Sequence, residues 1–151
     1  MITGAGSGIG RAVAQRLSEL GCNVVLVGRT GATLSETAAL CSGSTKTVTC
    51  DLTDENSILA LVGYIRATGG LDILVNNAGV VQSGPLEGVS TEEFDAVMAT
   101  NVRAPFILMR ETLPLLKASP APEVINVCSV VAHEGYPNQS AYVASKHALC
   151  G

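Results

Sequence analysis

Tryptophan is absent, and two Phe and three Tyr bring the aromatic share to only 3% of 151 residues. The apolar mass is instead Val, Leu, Ile and Ala, the composition of a layered α/β core. Clusters of basic residues are missing too. Nine Lys and Arg lie far apart against 13 Asp and Glu, for a net charge of −4, which argues against a nucleic-acid surface. No apolar run approaches the ~20 residues of a membrane span. The opening MITGAGSGIG has neither the charged head nor the apolar stretch of a secretory signal. Five cysteines (22, 41, 50, 128 and 150) are odd in number and form no CxxC pair. They read as reduced thiols of a cytoplasmic protein, with no metal site and no disulfide expected. Internal repeats, charge blocks and low-complexity linkers are also lacking, and the length suits one domain.

What is present is a chain 47% hydrophobic, with a mean hydropathy of +0.37, in which short apolar runs alternate with helical periods. Met1-Ile2 reads as the stump of a strand. Residues 8–20 read as a helix with Ile9, Val13, Leu17 and Leu20 on one face, ended by Gly21. Residues 23–28 read as a strand buried on both faces, 31–41 as a helix and 46–50 as a third strand. A helix over 54–67 carries Ile58, Leu61, Val62 and Ile65, and Gly69-Gly70 breaks it. Residues 71–76 are a fourth strand. Ser90 and Glu93 form a capping box before a long helix over 91–117, which Pro105 should bend or displace. Residues 123–128 are a fifth strand, and a last helix opens near Ser140. Strands alternating with helices predict βαβ units and a doubly wound parallel sheet of the Rossmann-like kind. That sheet has the strand order 3-2-1-4-5-6, of which five strands are found. The chain therefore reads as an incomplete domain, with residues 123–128 as an uncovered edge rich in Val and Ile. Residues 1–151 alone are expected to be marginally stable and inactive.

Three groups of residues carry chemistry. Thr3, Gly4, Ala5, Gly6, Ser7, Gly8, Ile9 and Gly10 lie between the first strand and the first helix. A plain tight turn is one reading. The position after a strand favours the other, a phosphate-binding turn whose backbone approaches a pyrophosphate at a helix N-terminus. No GK[ST] follows, so a Walker A loop is excluded. Tyr142 and Lys146 are four apart on the last helix and share a face. They are either a surface pair or a phenol kept ready for proton transfer by an ammonium. Ser129 ends the fifth strand, at the sheet edge where ligands bind in this architecture. It either holds a carbonyl oxygen or merely caps a loop.

These residues together resemble the short-chain dehydrogenase/reductase family. The matching pieces are Thr3-Gly4-x-x-x-Gly8-x-Gly10, Asp51 after the third strand and Asn76-Asn77-Ala78-Gly79 after the fourth. Asn101 in the long helix, Ser129 and Tyr142-x-x-x-Lys146 complete the set. The resemblance implies an oxidoreductase that moves a hydride between a nicotinamide cofactor and a carbonyl or secondary alcohol. It implies Tyr142 as acid/base, Ser129 polarising the substrate carbonyl, and Lys146 binding ribose hydroxyls beside Tyr142. Asn101 would hold a water in the proton relay. The alternative for Asn101 is a structural amide, since Phe94, Val97, Met98 and Asn101 share an apolar face and a buried amide needs partners. Asp51 and Leu52 resemble adenine contacts. Asn76 would brace the sheet, and Asn77, Ala78 and Gly79 would pass beside the cofactor. Asp72 has no match.

The residue ending the second strand usually holds the ribose 2′-hydroxyl with an acid. Here it is Gly28, followed by Arg29, which can pair a 2′-phosphate. NADP(H) is therefore favoured over NAD(H). Val81, His133 and Tyr136 are expected on the substrate side. Relatives continue past the position of Gly151 with a further strand and a lid, and are usually homodimers or homotetramers. Two functions stay open: a carbonyl reductase or alcohol dehydrogenase, or a non-catalytic cofactor-binding remnant.

Overall fold

The computed structural model describes residues 1–151. Five parallel strands form one sheet in the order β3-β2-β1-β4-β5. They are β1 (Ile2–Thr3), β2 (Val24–Gly28), β3 (Thr45–Thr49), β4 (Ile73–Asn76) and β5 (Glu123–Asn126). The helices between them are α1 (Gly8–Glu19), α2 (Gly31–Ala39), α3 (Glu55–Ala67), α4 (Thr91–Met98), α5 (Ala104–Ala118) and α6 (Ser140–Cys150). This is the doubly wound order expected from the alternation; β2, β4 and β5 are a residue or two shorter than expected, while β1 and β3 keep their length and shift by one position.

The two faces follow from the period of two along each strand. Ile2, Val24, Leu26 and Val75 point to one face, where Ala14 of α1 and Leu34 of α2 cover them. Val27 and Leu74 point to the other, against Ile58, Leu61, Val62 and Ile65 of α3 and Ile107, Leu108 and Leu116 of α5. Leu108 is fully buried there. Leu108→Ala should lower stability by ~2–5 kcal/mol, the range for a buried leucine whose cavity collapses incompletely. Urea titration checks this.

The first helix keeps its expected face in part. Val13 and Leu17 pack against the core, but Ile9 and Leu20 are 62% and 61% exposed, and the residues buried outright are Gly10, Ala14 and Ser18. Small residues are needed there because α1 lies close on β1 and β2, and Ser18 accepts the Gly43 amide at 2.6 Å. The long helix is not continuous. After α4, residues Ala99–Arg103 form a widened π turn in which the Ala104 amide reaches back five residues to the Ala99 carbonyl, and α5 starts at Ala104. Pro105 sits just past this turn, where the backbone stays helical from Met98 through Ala104, so its missing N–H falls beside the widened turn rather than at a separate helix start. Phe94 consequently lies 41% exposed, while Val97 and Asn101 are buried.

The cysteine reading is corrected in part. Cys128 and Cys150 are paired as a disulfide, with Cα atoms 6.5 Å apart, whereas Cys22, Cys41 and Cys50 are free. The pair joins the end of β5 to the last turn of α6, a meeting of segments that separation along the chain does not reveal. No helix is long and apolar enough to cross a membrane.

Candidate active site

The strand order reverses direction at β1, with β2 on one side and β4 on the other. The loops leaving β1 and β4 therefore diverge and open a crevice at the carboxyl ends of the strands. A cleft of about 410 Å³ lies there. Gly4, Gly6, Ser7, Gly8 and Ile9 line it from the turn after β1, Arg29 from the end of β2, Asp51 and Leu52 from the end of β3, and Asn77, Ala78 and Gly79 from the end of β4. These eleven residues were all expected at a cofactor. Thr3, Gly10, Tyr142 and Lys146 are not in its wall.

Thr3 and Gly10 support the cleft from behind. The Thr3 hydroxyl accepts the backbone amides of Asn77 and Ala78, both at 3.0 Å, and donates to the Val75 carbonyl at 3.3 Å. The Asn77 side chain donates to the carbonyls of Thr3 and Gly4 at 2.9 and 3.3 Å. This interlock sets the turn after β1 against the exit of β4. Gly4 has a positive φ of 63°, and a Cβ on it would lie 2.9 Å from Ala78 Cα. A Cβ on Gly10 would run into the Gly4 carbonyl and the Asn77 amide. Glycine is thus required at both positions by backbone conformation and close approach.

At the start of α1, Ser7 is extended, no side chain caps the helix, and no acidic residue sits in its first turn. The first-turn amides and the positive end of the helix dipole face the cleft, an arrangement suited to an anion. Arg29 is exposed at the opposite wall and enters no ion pair. Asp51 closes a local turn in which its carboxylate accepts the Thr53 amide at 2.9 Å and the Thr53 hydroxyl at 2.8 Å. These two bonds, amide first, hold its carboxyl below the usual range, and the charge of Arg29 adds to them. Sequence reasoning missed Thr30, Thr33, Val80 and Thr100, which also line the cleft. Thr30 and Thr33 follow Arg29 directly into α2, so the approach of that helix was the available signal.

The second cluster lies beside the first. Lys146 on α6 is buried, and its Nζ donates to the Val127 carbonyl at 2.9 Å. Burial pushes this ammonium below its ordinary value. Nζ stands 5.8 Å from the centre of the Tyr142 ring. Asn101, in the π turn, is completely buried. Its Oδ1 accepts the Val80 amide at 2.9 Å, and its Nδ2 donates to the Val80 carbonyl at 2.9 Å and to Ser145 Oγ at 3.0 Å. The structural alternative for this amide therefore has its full set of partners. Ser129 lies three residues past β5 rather than at its end, and it caps the short turn Val130–Ala132, accepting the Val131 amide at 3.4 Å. Asn76 braces the sheet as expected, donating to Asn126 Oδ1 at 2.9 Å across β4 and β5. Val81, His133 and Tyr136 are exposed on the loops around this cluster.

Gly79 joins the two clusters. It lines the cleft, and a Cβ on it would stand 3.4 Å from Asn101 Oδ1 and 3.7 Å from Lys146 Nζ. A molecule lying along the cleft would thus run directly towards Lys146.

Known proteins are similar to this chain in sequence and in fold. A 3beta-hydroxysteroid dehydrogenase of Mediterraneibacter gnavus is 38% identical over 156 residues, which covers all of this chain and 56% of that protein. A D-beta-hydroxybutyrate dehydrogenase of Rhizobium meliloti is 35% identical over 157 residues, covering all of this chain and 61% of the relative. The chain thus spans little more than half the length of these relatives. Among solved structures, a metagenomic short-chain oxidoreductase in complex with NADP has a TM-score of 0.91 and 38% identity, covering 99% of this chain and 70% of that one. The short chain dehydrogenase family matches residues 1–151, and the chain belongs to that family of oxidoreductases.

Proposed function

We propose that residues 1–151 form the NAD(P)-binding, Rossmann-like part of an enzyme that interconverts a carbonyl and a secondary alcohol, with Tyr142 as acid/base. The single observation that carries this reading is the meeting at Gly79 of the glycine-lined cleft with Lys146 and Asn101. The cleft fits a dinucleotide on its own features. Gly4 and Gly10 keep backbone where a side chain would intrude, the uncapped start of α1 faces inward, and Arg29 offers an unpaired cation. The cofactor supplies or accepts the hydride; the protein supplies position and a proton.

In this mechanism Tyr142 gives its phenolic proton to the substrate oxygen during reduction and takes it back during oxidation. Lys146 holds a ribose hydroxyl beside Tyr142. Ser129 donates to the substrate carbonyl once its hydroxyl turns away from the Val131 amide. The Asn101 side chain is fully occupied by Val80 and Ser145, so a relay water at this residue is held by its main chain. Val81 and Tyr136 present apolar surface to the substrate, and His133 offers a polar contact. The parent enzyme acts in the cytoplasm as a homodimer or homotetramer.

For the cofactor we propose NADP(H) over NAD(H), because Arg29 follows Gly28 where an acid would hold a 2′-hydroxyl. One charge pair at ~4 Å with an effective dielectric of 20 contributes ~4 kcal/mol before desolvation. Arg29→Ala should weaken NADPH binding by about 10- to 100-fold, that is by one to two steps of 1.4 kcal/mol, and leave NADH binding unchanged. Titration of the native protein by nicotinamide fluorescence checks this. Equal affinities for the two cofactors in the unaltered protein would refute the preference.

A further inference from the structure

Gln82 lies on the segment after β4, between the Asn77–Gly79 wall of the cleft and α4. Glutamine in a loop is ordinarily solvated, yet this one is 1% exposed. Every polar group of its side chain has a partner on, or just before, the helix that carries Tyr142. Its Oε1 accepts the Ala141 amide at 3.2 Å. Its Nε2 donates to the Gly84 carbonyl at 3.2 Å and to the Asn138 carbonyl at 3.4 Å. The Gly84 amide also donates to the Asn138 carbonyl at 2.8 Å, and Asn138 takes a φ of 61° to present that carbonyl.

The start of α6 explains the need. The first amides of a helix have no partner within it, and α6 receives no hydrogen bond from its own preceding side chain, Gln139. Gln82 supplies the cap from a distant segment. One turn further along, Asn101 donates to Ser145 at 3.0 Å. Ala141 and Ser145 are four apart and both are buried. Tyr142 and Lys146 form the adjacent stripe, rotated by one residue, or ~100° around the axis. Two buried amides therefore grip one stripe of α6, and that grip fixes the direction in which the neighbouring stripe faces.

We propose that Gln82 is a positioning residue for catalysis, fixing the first turn of α6 and so the placement of Tyr142 beside the cleft. The proposal rests on the reading of Tyr142 as acid/base. It assigns Gln82 no contact with substrate. Gln82→Met in the native full-length protein keeps the volume and removes all three bonds. Misplacement of a reacting group by ~1 Å can cost 10²-fold, so kcat should fall about 10-fold or more. The Kd for NADPH should stay within about twofold, because the cleft walls at Gly4–Ile9 and Asn77–Gly79 do not use Gln82 and Lys146 stays held at the Val127 carbonyl.

Gln82→Asn provides a second variant that keeps a polar amide but withdraws it by roughly one bond, about 1.5 Å. It should show a smaller loss of kcat with the NADPH Kd again unchanged, even if the Met variant folds poorly. A kcat reduced only in proportion to the folded fraction seen by circular dichroism, or an NADPH Kd weakened in step with kcat, would overturn the proposal and leave Gln82 a structural residue. A wild-type rate in Tyr142→Phe would overturn the underlying acid/base reading instead, whatever Gln82 does.

Discussion

Replacing Tyr142 by Phe in the native protein should lower kcat at least ~100-fold, the contribution of a positioned general acid. The ring stays, so packing against α6 is preserved. Only the proton that would move to or from the substrate oxygen is lost. Tyr142 is not in the wall of the 410 Å³ cleft, so NADPH affinity should remain within about twofold. Steady-state rates with NADPH and a panel of ketones and aldehydes, paired with fluorescence titration, separate the two effects. Loss of both rate and affinity would assign Tyr142 to binding rather than to proton transfer.

Lys146→Met should abolish turnover and at the same time strengthen the fold of the cofactor-free protein. Lys146 is 4% exposed, forms no ion pair with a carboxylate, and has the Val127 carbonyl as its one hydrogen-bond acceptor. A buried ammonium without a counter-ion is costly, and Met fills the same space without charge. Such exchanges at strained functional positions commonly give about 0.5–2 kcal/mol of stability at the expense of activity. The sign of the pH dependence follows from burial. The folded-state value of Lys146 lies below its ordinary 10.5, so between the two values the unfolded chain binds more protons and stability rises with pH. The advantage of Met should therefore be largest at neutral pH. It should shrink as pH rises through the lowered value towards that of the unfolded chain. Denaturant titrations of both proteins at neutral and alkaline pH test this. A stability gap that does not change with pH would show that burial of the charge is not its origin.

Much of the fold was legible because parallel topology leaves a strong trace. Short apolar runs alternate with helical periods, Gly21 and Gly69-Gly70 end helices, and Asp54 and Ser90 cap them with side-chain bonds to the amides of Asn56 and Glu93. The cleft was legible for the same reason. Its walls are the residues that follow β1, β2, β3 and β4, and the order of strands brings those ends together. What escaped depends on partners far along the chain. Burial of Gln82 is decided by residues 138–141, and the proximity of Cys128 to Cys150 by the path of α6 across the end of β5. Ile9 and Leu20 fit a helical period, but the face of α1 was chosen by how closely it lies on the sheet. That face is lined by small residues, which a count of apolar positions passes over.

The widened turn at Ala99–Arg103 is the trace of one extra residue accommodated inside a helix. An α-helix repeats every 3.6 residues, so the added residue puts the two halves out of phase. Val97 before it, Asn101 within it and Ile107 and Leu108 after it all face the interior. Homologous helices aligned by counting turns would therefore slip by one position at residue 99. A graft of this helix into another scaffold must take the break with it, or Asn101 will point away from Val80 and Ser145.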